Sequence, residues 1–201
     1  MASPDSACYR FAPFDEGASD GGKAMFDCDK FVVLAGRAEG EEPSECFTAG
    51  LQSIHDAEDP LLAESAEASK VIATLEALFL MIAVEGRVME EEEDAARSVL
   101  HAMASAELDP GEIEELLAAF AERLEAEGFG ARLEAVGRLL REDPELAEAT
   151  FRLCAAVVAA DGREADEDNE TLNALIDELH LDDDLADQIL GEVRMRLSSA
   201  A

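Results

Sequence analysis

The chain has 201 residues, of which 48 are acidic and 15 basic, for a formal net charge of −33. Such a surface repels phosphate backbones and anionic bilayers, which excludes a nucleic-acid-binding protein. Hydrophobic residues make up 48%, enough for a core, and with 5% aromatics and no Trp that core has to be built from Leu, Ala, Val and Ile, a mixture that favours helices over strands.

Residues 1–63 read as an acidic, Gly/Pro/Ser-rich, weakly structured appendage. Gly, Ser, Pro and Asp recur in Asp15-Glu16-Gly17, Ser19-Asp20-Gly21-Gly22 and Gly40-Glu41-Glu42-Pro43, and no long helical period holds. Within it, Phe31 to Leu34 suits a short strand and Cys46 to His55 a short helix. The first base is Arg10, and the stretch from Tyr9 to Phe14 is broken by Pro13, so no signal peptide is expected. The longest apolar run, Ala77 to Val84, is far too short to span a bilayer, and a cytoplasmic protein with no direct membrane insertion is expected. Cys8, Cys28, Cys46 and Cys154 have the wide spacing of free thiols. Three of them with His55 make up a Cys3His set in composition, but without the paired spacing of a zinc site.

From about residue 64 the helical period is clear, and residues 64–201 read as one all-helical domain. Ile72, Leu75, Phe79 and Ile82 share a face, as do Ala96, Val99, Leu100 and Met103. Asp109-Pro110-Gly111-Glu112 opens the next helix: Asp caps, Pro suits the first helical position, and Glu112 completes a capping box. Ile113, Leu116, Leu117, Phe120 and Leu124 form its stripe. Gly128 and Gly130 break it, and Leu133, Val136, Leu139 and Leu140 start another. Asp143-Pro144-Glu145 is a second cap-and-proline start, followed by Leu146, Thr150, Leu153, Cys154, Val157 and Val158. Leu172, Leu175, Ile176 and Leu179, then Leu185, Ile189, Leu190 and Val193, complete a seven-helix α-bundle.

Two stretches in this domain match each other. Leu80 to Glu92 reads LMIAVEGRVMEEE, and Ala156 to Asp168 reads AVVAADGREADED. Asp161 follows Glu85, and Asp168 follows Glu92, at the same offset of 76 residues. Each copy is an apolar helix, an acid-Gly-Arg turn and an acidic helix start, as an internal duplication into two pseudo-equivalent repeats would leave. Gly86 and Gly162 suit the positive φ that ends a helix sharply. The acids Glu90 to Glu93 admit two readings. They complement the dipole of the helix they begin, at about 0.3–1 kcal/mol each. Alternatively, Glu85 with Glu92, and Asp161 with Asp168, flank one tight turn and converge on a cation. Only oxygen donors are on offer, so that ion would be hard: Ca²⁺, Mg²⁺ or Mn²⁺. An EF-hand is excluded by register, because with Gly162 as the loop glycine the first and third ligand positions would be Val157 and Ala159.

The repeated pattern, Ala83-Val-Glu-Gly-Arg-Val-Met-Glu-Glu-Glu92 and Ala159-Ala-Asp-Gly-Arg-Glu-Ala-Asp-Glu-Asp168, resembles the tellurite-resistance TerB family over roughly residues 64–196. The resemblance implies a compact helical fold with internal pseudo-symmetry and a role in tellurite and general stress resistance. It also implies divalent-cation binding through Glu85, Glu92, Asp161 and Asp168, and association with a protein partner or a membrane-associated stress complex. The chain departs from the pattern at three places: Glu85 replaces the usual Asp, Glu164 stands where an apolar residue anchors the turn, and Asp168 replaces the usual Glu.

Nothing points to catalysis. His55, His101 and His180 lie far apart with no HExxH spacing, and there is no GxSxG, P-loop or GxGxxG motif. His180, near the end of a helix, reads as a dipole partner and not as a base. A non-catalytic module is therefore expected. Its alternatives are a stress-response domain with cation sites, a metal-free acidic scaffold for a basic partner, and a helical domain regulated through its N-terminal appendage.

Overall fold

A chain rich in Leu, Ala and Glu, punctuated by Asp-Pro starts, folds as helices because each segment can bury one apolar face. The computed structural model describes residues 31, 45–57, 60–62, 65–83, 90–104, 107–161 and 165–200. Among these, eight α-helices run in chain order: α1 Glu45–His55, α2 Ala66–Ile82, α3 Glu90–Ala104, α4 Pro110–Glu127, α5 Phe129–Leu140, α6 Pro144–Asp161, α7 Ala165–Leu179 and α8 Asp183–Ala200. A 3₁₀ turn, Pro60–Leu62, follows α1, and there is no strand among the described residues. Phe31, the expected opening of a strand, is helical and buried; Val32 to Leu34 lie outside the described residues.

Helix α2 is the axis of the bundle. Every residue from Val71 to Ala83 is buried, because α1, α3, α4, α5 and α6 all pack around it. Ser65 caps its start, its Oγ accepting the Ala68 N–H at 2.9 Å. At its other end Phe79 packs on Phe120 of α4, with ring centroids 5.7 Å apart and tilted. Helix α6 is the second spine, packed on α2, α7 and α8, while α5 bridges α2 and α7.

The first-expected boundary at residue 64 runs through one continuous core. Helix α1 lies on its N-terminal side, yet Phe47, Leu51 and Ile54 are buried against α2. The approach is close enough to require glycine. A Cβ at Gly50 would stand 2.5 Å from Val71 Cγ2 and 2.8 Å from the Glu67 carbonyl oxygen. Residues 45–55 are thus part of the bundle and not a loose appendage.

The capping box at α4 is complete: Asp109 Oδ1 accepts from Gly111 N (2.7 Å) and Glu112 N (3.0 Å), and Glu112 Oε2 accepts from Asp109 N at 2.7 Å. Helix α6 starts on Asp143, whose Oδ1 accepts from Leu146 N and whose other carboxylate oxygen takes Lys70 Nζ at 2.7 Å. Lys70, and then the Leu146 N–H, hold the Asp143 carboxyl below its ordinary range. Two expectations need correcting. Only Gly128, at φ 83°, breaks the α4–α5 boundary, since Gly130 sits inside α5. Leu139 does not join the α5 stripe: it is 44% exposed, because the buried arc is rotated toward Gly137, which packs on Glu178 of α7.

Candidate functional site

The four residues singled out as cation ligands have a mixed status. Glu85 lies outside the described residues. The backbone of Glu92 is in the first turn of α3, Asp161 closes α6, and Asp168 is in the first turn of α7, with their side chains outside the description. Helix α3 does begin at Glu90, where the acidic run was expected to open a helix. Among the described side chains, no three carboxylates, imidazoles or thiols converge as a ligand set. The donor set at the four positions is all oxygen, which fits hard cations and no softer metal.

What the fold does bring together is a charged cluster that the residue pattern had not singled out. Glu76 sits mid-way along the buried α2, with its side chain only 3% exposed. Arg132 of α5 meets it with a two-pronged contact, Nε to Oε1 at 2.8 Å and Nη2 to Oε2 at 2.9 Å. Its Nη1 also reaches Glu127 at 3.0 Å from the rim. Burying a carboxylate unpaired would cost several kcal/mol, and this fork supplies both oxygens with charge-assisted bonds. The hydrogen bond to Glu76, ahead of its Coulombic attraction, pushes the Arg132 guanidinium pKa above its ordinary value.

Arg123 of α4 completes the cluster differently. Its Nη1 stands 3.6 Å from Glu76 Oε2, within Coulombic range but too long for a hydrogen bond, and its side chain is 34% exposed. These three residues line a groove of about 170 Å³ between α2, α4 and α5, walled by Leu61, Ile72, Ala73, Val136 and Leu139. One signal for it was present in the sequence. Glu76 is the only charged residue between Val71 and Val84, and a lone carboxylate in an apolar helix demands a cation. Which arginines would answer was a matter of tertiary contact.

The remaining candidates are structural. His180 follows α7 at φ 56°, and Arg141 Nη1 lies 3.2 Å from its Nε2. A guanidinium can only donate, so the imidazole nitrogen is the acceptor in that contact. His55 Nδ1 contacts both oxygens of Glu112, at 2.9 and 3.1 Å. Cys154 is wholly buried among apolar side chains, and burial pushes its thiol pKa well above the ordinary value, as suits an inert core residue. No described helix is long and apolar enough to cross a membrane. No family model matches the chain, and neither a curated protein nor a solved structure matches it.

Proposed function

We propose that the helical domain from about residue 64 onward, with α1 packed on it, is a non-catalytic, TerB-like stress-response module whose seven helices α2 to α8 are built on two pseudo-equivalent repeats. It binds divalent cations at its two acid-Gly-Arg turns and acts in the cytoplasm with a protein partner. One contact carries the duplication. Thr74 and Thr150 are 76 residues apart, the same offset that relates Glu85 to Asp161, and their Oγ1 atoms meet at 3.2 Å in the core. A two-fold axis brings residues that lie on it against their own counterparts, and this contact fits a pseudo-two-fold between α2 and α6. The same offset pairs further buried positions: Val71 with Ala147, Leu75 with Phe151, and Leu78 with Cys154. The duplication would give two acidic turns of one design, Glu85 and Glu92 in one and Asp161 and Asp168 in the other. A Ca²⁺, Mg²⁺ or Mn²⁺ ion held there would neutralise carboxylates gathered at the start of a helix.

The second reading is a metal-free scaffold whose acidic surface docks a basic protein, and the net charge of −33 favours it. Calorimetric titration with Ca²⁺, Mg²⁺ and Mn²⁺ separates the two, run on the chain and on the Glu85→Gln, Asp161→Asn double variant. The cation reading expects saturable binding that the double variant loses, together with a cation-dependent rise in melting temperature. A flat titration, or binding the variant keeps, removes the cation role and leaves the scaffold, whose mark is salt-sensitive capture of a basic protein.

A further inference from the structure

The groove over Glu76 has a charge arrangement that its structural role does not use up. Arg132 is spent: three of its nitrogens donate, to Glu76 and to Glu127. Arg123 is not. Its one ionic neighbour among the described residues is Glu76 at 3.6 Å, a carboxylate whose two oxygens are already held by Arg132. Arg132 thus answers both Glu76 and Glu127, and the Arg123 fork lines the groove with no hydrogen-bond acceptor among the described residues. Beside these charged groups the groove is lined by Ile72 and Ala73 of α2 and by Ala135, Val136 and the 44%-exposed Leu139 of α5, with the hydroxyl-bearing Ser69 among them.

From this juxtaposition we propose that the groove between α2, α4 and α5 binds a small organic carboxylate. Its carboxylate pairs with Arg123, and its hydrocarbon body lies against Ile72, Val136 and Leu139. The pairing is two-pronged, because the planar guanidinium fork matches a carboxylate. A single carboxylate matches the one fork that Arg123 presents, whereas inorganic phosphate brings no hydrocarbon and would leave the apolar lining wet. Size sets the body: an apolar cavity of about 150 Å³ holds a benzene-sized molecule, so this groove holds roughly four to six carbons. The surrounding acidic surface repels free anions, which makes the site selective for ligands that also bring apolar area. The proposal does not depend on the cation sites, which lie on other residues.

The test uses the full chain at fixed ionic strength, with hexanoate, 1-hexanol and inorganic phosphate as probes. Hexanoate gives a saturable rise in melting temperature, while hexanol and phosphate give little or none. Arg123→Gln weakens hexanoate binding by about tenfold or more, the loss of a charge-assisted fork. Arg123 makes no hydrogen bond within the described fold, so this variant stays folded. Two further variants keep the test decisive if it does not. Arg123→Lys retains the charge without the fork and binds hexanoate more weakly. Ala135→Leu fills the groove, leaves the charges untouched and abolishes binding. The proposal fails if hexanoate has no effect, if hexanol or phosphate matches it, or if Arg123→Gln and Ala135→Leu bind as the parent does.

Discussion

His55 and Glu112 join the end of α1 to the start of α4, 57 residues along the chain. The hydrogen bond to Glu112, followed by that residue's charge and by Asp56 and Asp109, raises the His55 pKa. Because the folded-state pKa lies above the unfolded one, the contact stabilises the fold fully below the unfolded value of about 6.5, and its contribution fades as pH rises through the raised folded value. Urea melts of the parent and His55→Gln across this range should therefore diverge most at low pH and converge at high pH. A pH-independent difference would mean the ring is not ionised in the contact. Glu112 has a second duty, accepting the Asp109 N–H, so its carboxylate is fixed in place whether or not His55 is charged. Both acids of this cap were legible from Asp109-Pro110-Gly111-Glu112, since a capping box acts within four residues. The imidazole that uses the same carboxylate was not, because nothing local ties residue 55 to residue 112.

Two close approaches hold the elements in register. At Gly50, α1 meets α2; at Gly137, α5 meets α7, where an added Cβ would stand 2.6 Å from Glu178 Cβ and 2.8 Å from the Glu178 carbonyl oxygen. Alanine is the better helix former by about 1 kcal/mol, so a helix-propensity argument alone expects Gly→Ala to stabilise at both positions. Contact with backbone atoms reverses the sign, because two helices must separate to make room. Gly50→Ala and Gly137→Ala should each destabilise by about 1–3 kcal/mol in chemical denaturation. Stabilisation by either would show that its helix pair moves apart freely. At Gly50 the outcome also measures how tightly α1 belongs to the core. A Gly/Ser/Pro-rich composition suggested a loose appendage, and Phe47, Leu51 and Ile54 override it by burial.

At the scale of the whole molecule, 48 acids on 201 residues make the folded surface repel itself. Arginines offset this locally: Arg97 bonds Asp94 and Glu114 between α3 and α4, and Arg152 bridges Glu148 and Glu192 between α6 and α8. The net charge nevertheless stays far from zero. Raising salt from about 0.01 M to about 0.15 M shortens the Debye length from about 30 Å to about 8 Å, which screens that long-range repulsion while partly buried pairs such as Glu76–Arg132 are affected much less. The melting temperature should rise over this interval in a monovalent salt. A fall would mean that the surface ion pairs outweigh the repulsion.

The all-helical class, the capped starts of α4 and α6, and the stripes of α3 and α4 were determined by the sequence itself. They follow from hydrophobic period and from side chains that satisfy backbone groups a few residues away. The offset of 76 was equally plain as a pattern. Other features were decided only by packing. From Val71 to Ala83 every residue of the α2 segment is buried, which no amphipathic period announces; Leu139 is turned outward and Gly137 inward by the neighbour that α5 happens to meet. The Glu76–Arg132–Arg123 cluster joins three helices, and its partners are chosen by distance in space. A sequence can show that a buried carboxylate needs a cation, but only the assembled bundle decides which arginine is consumed by it and which is left facing the groove.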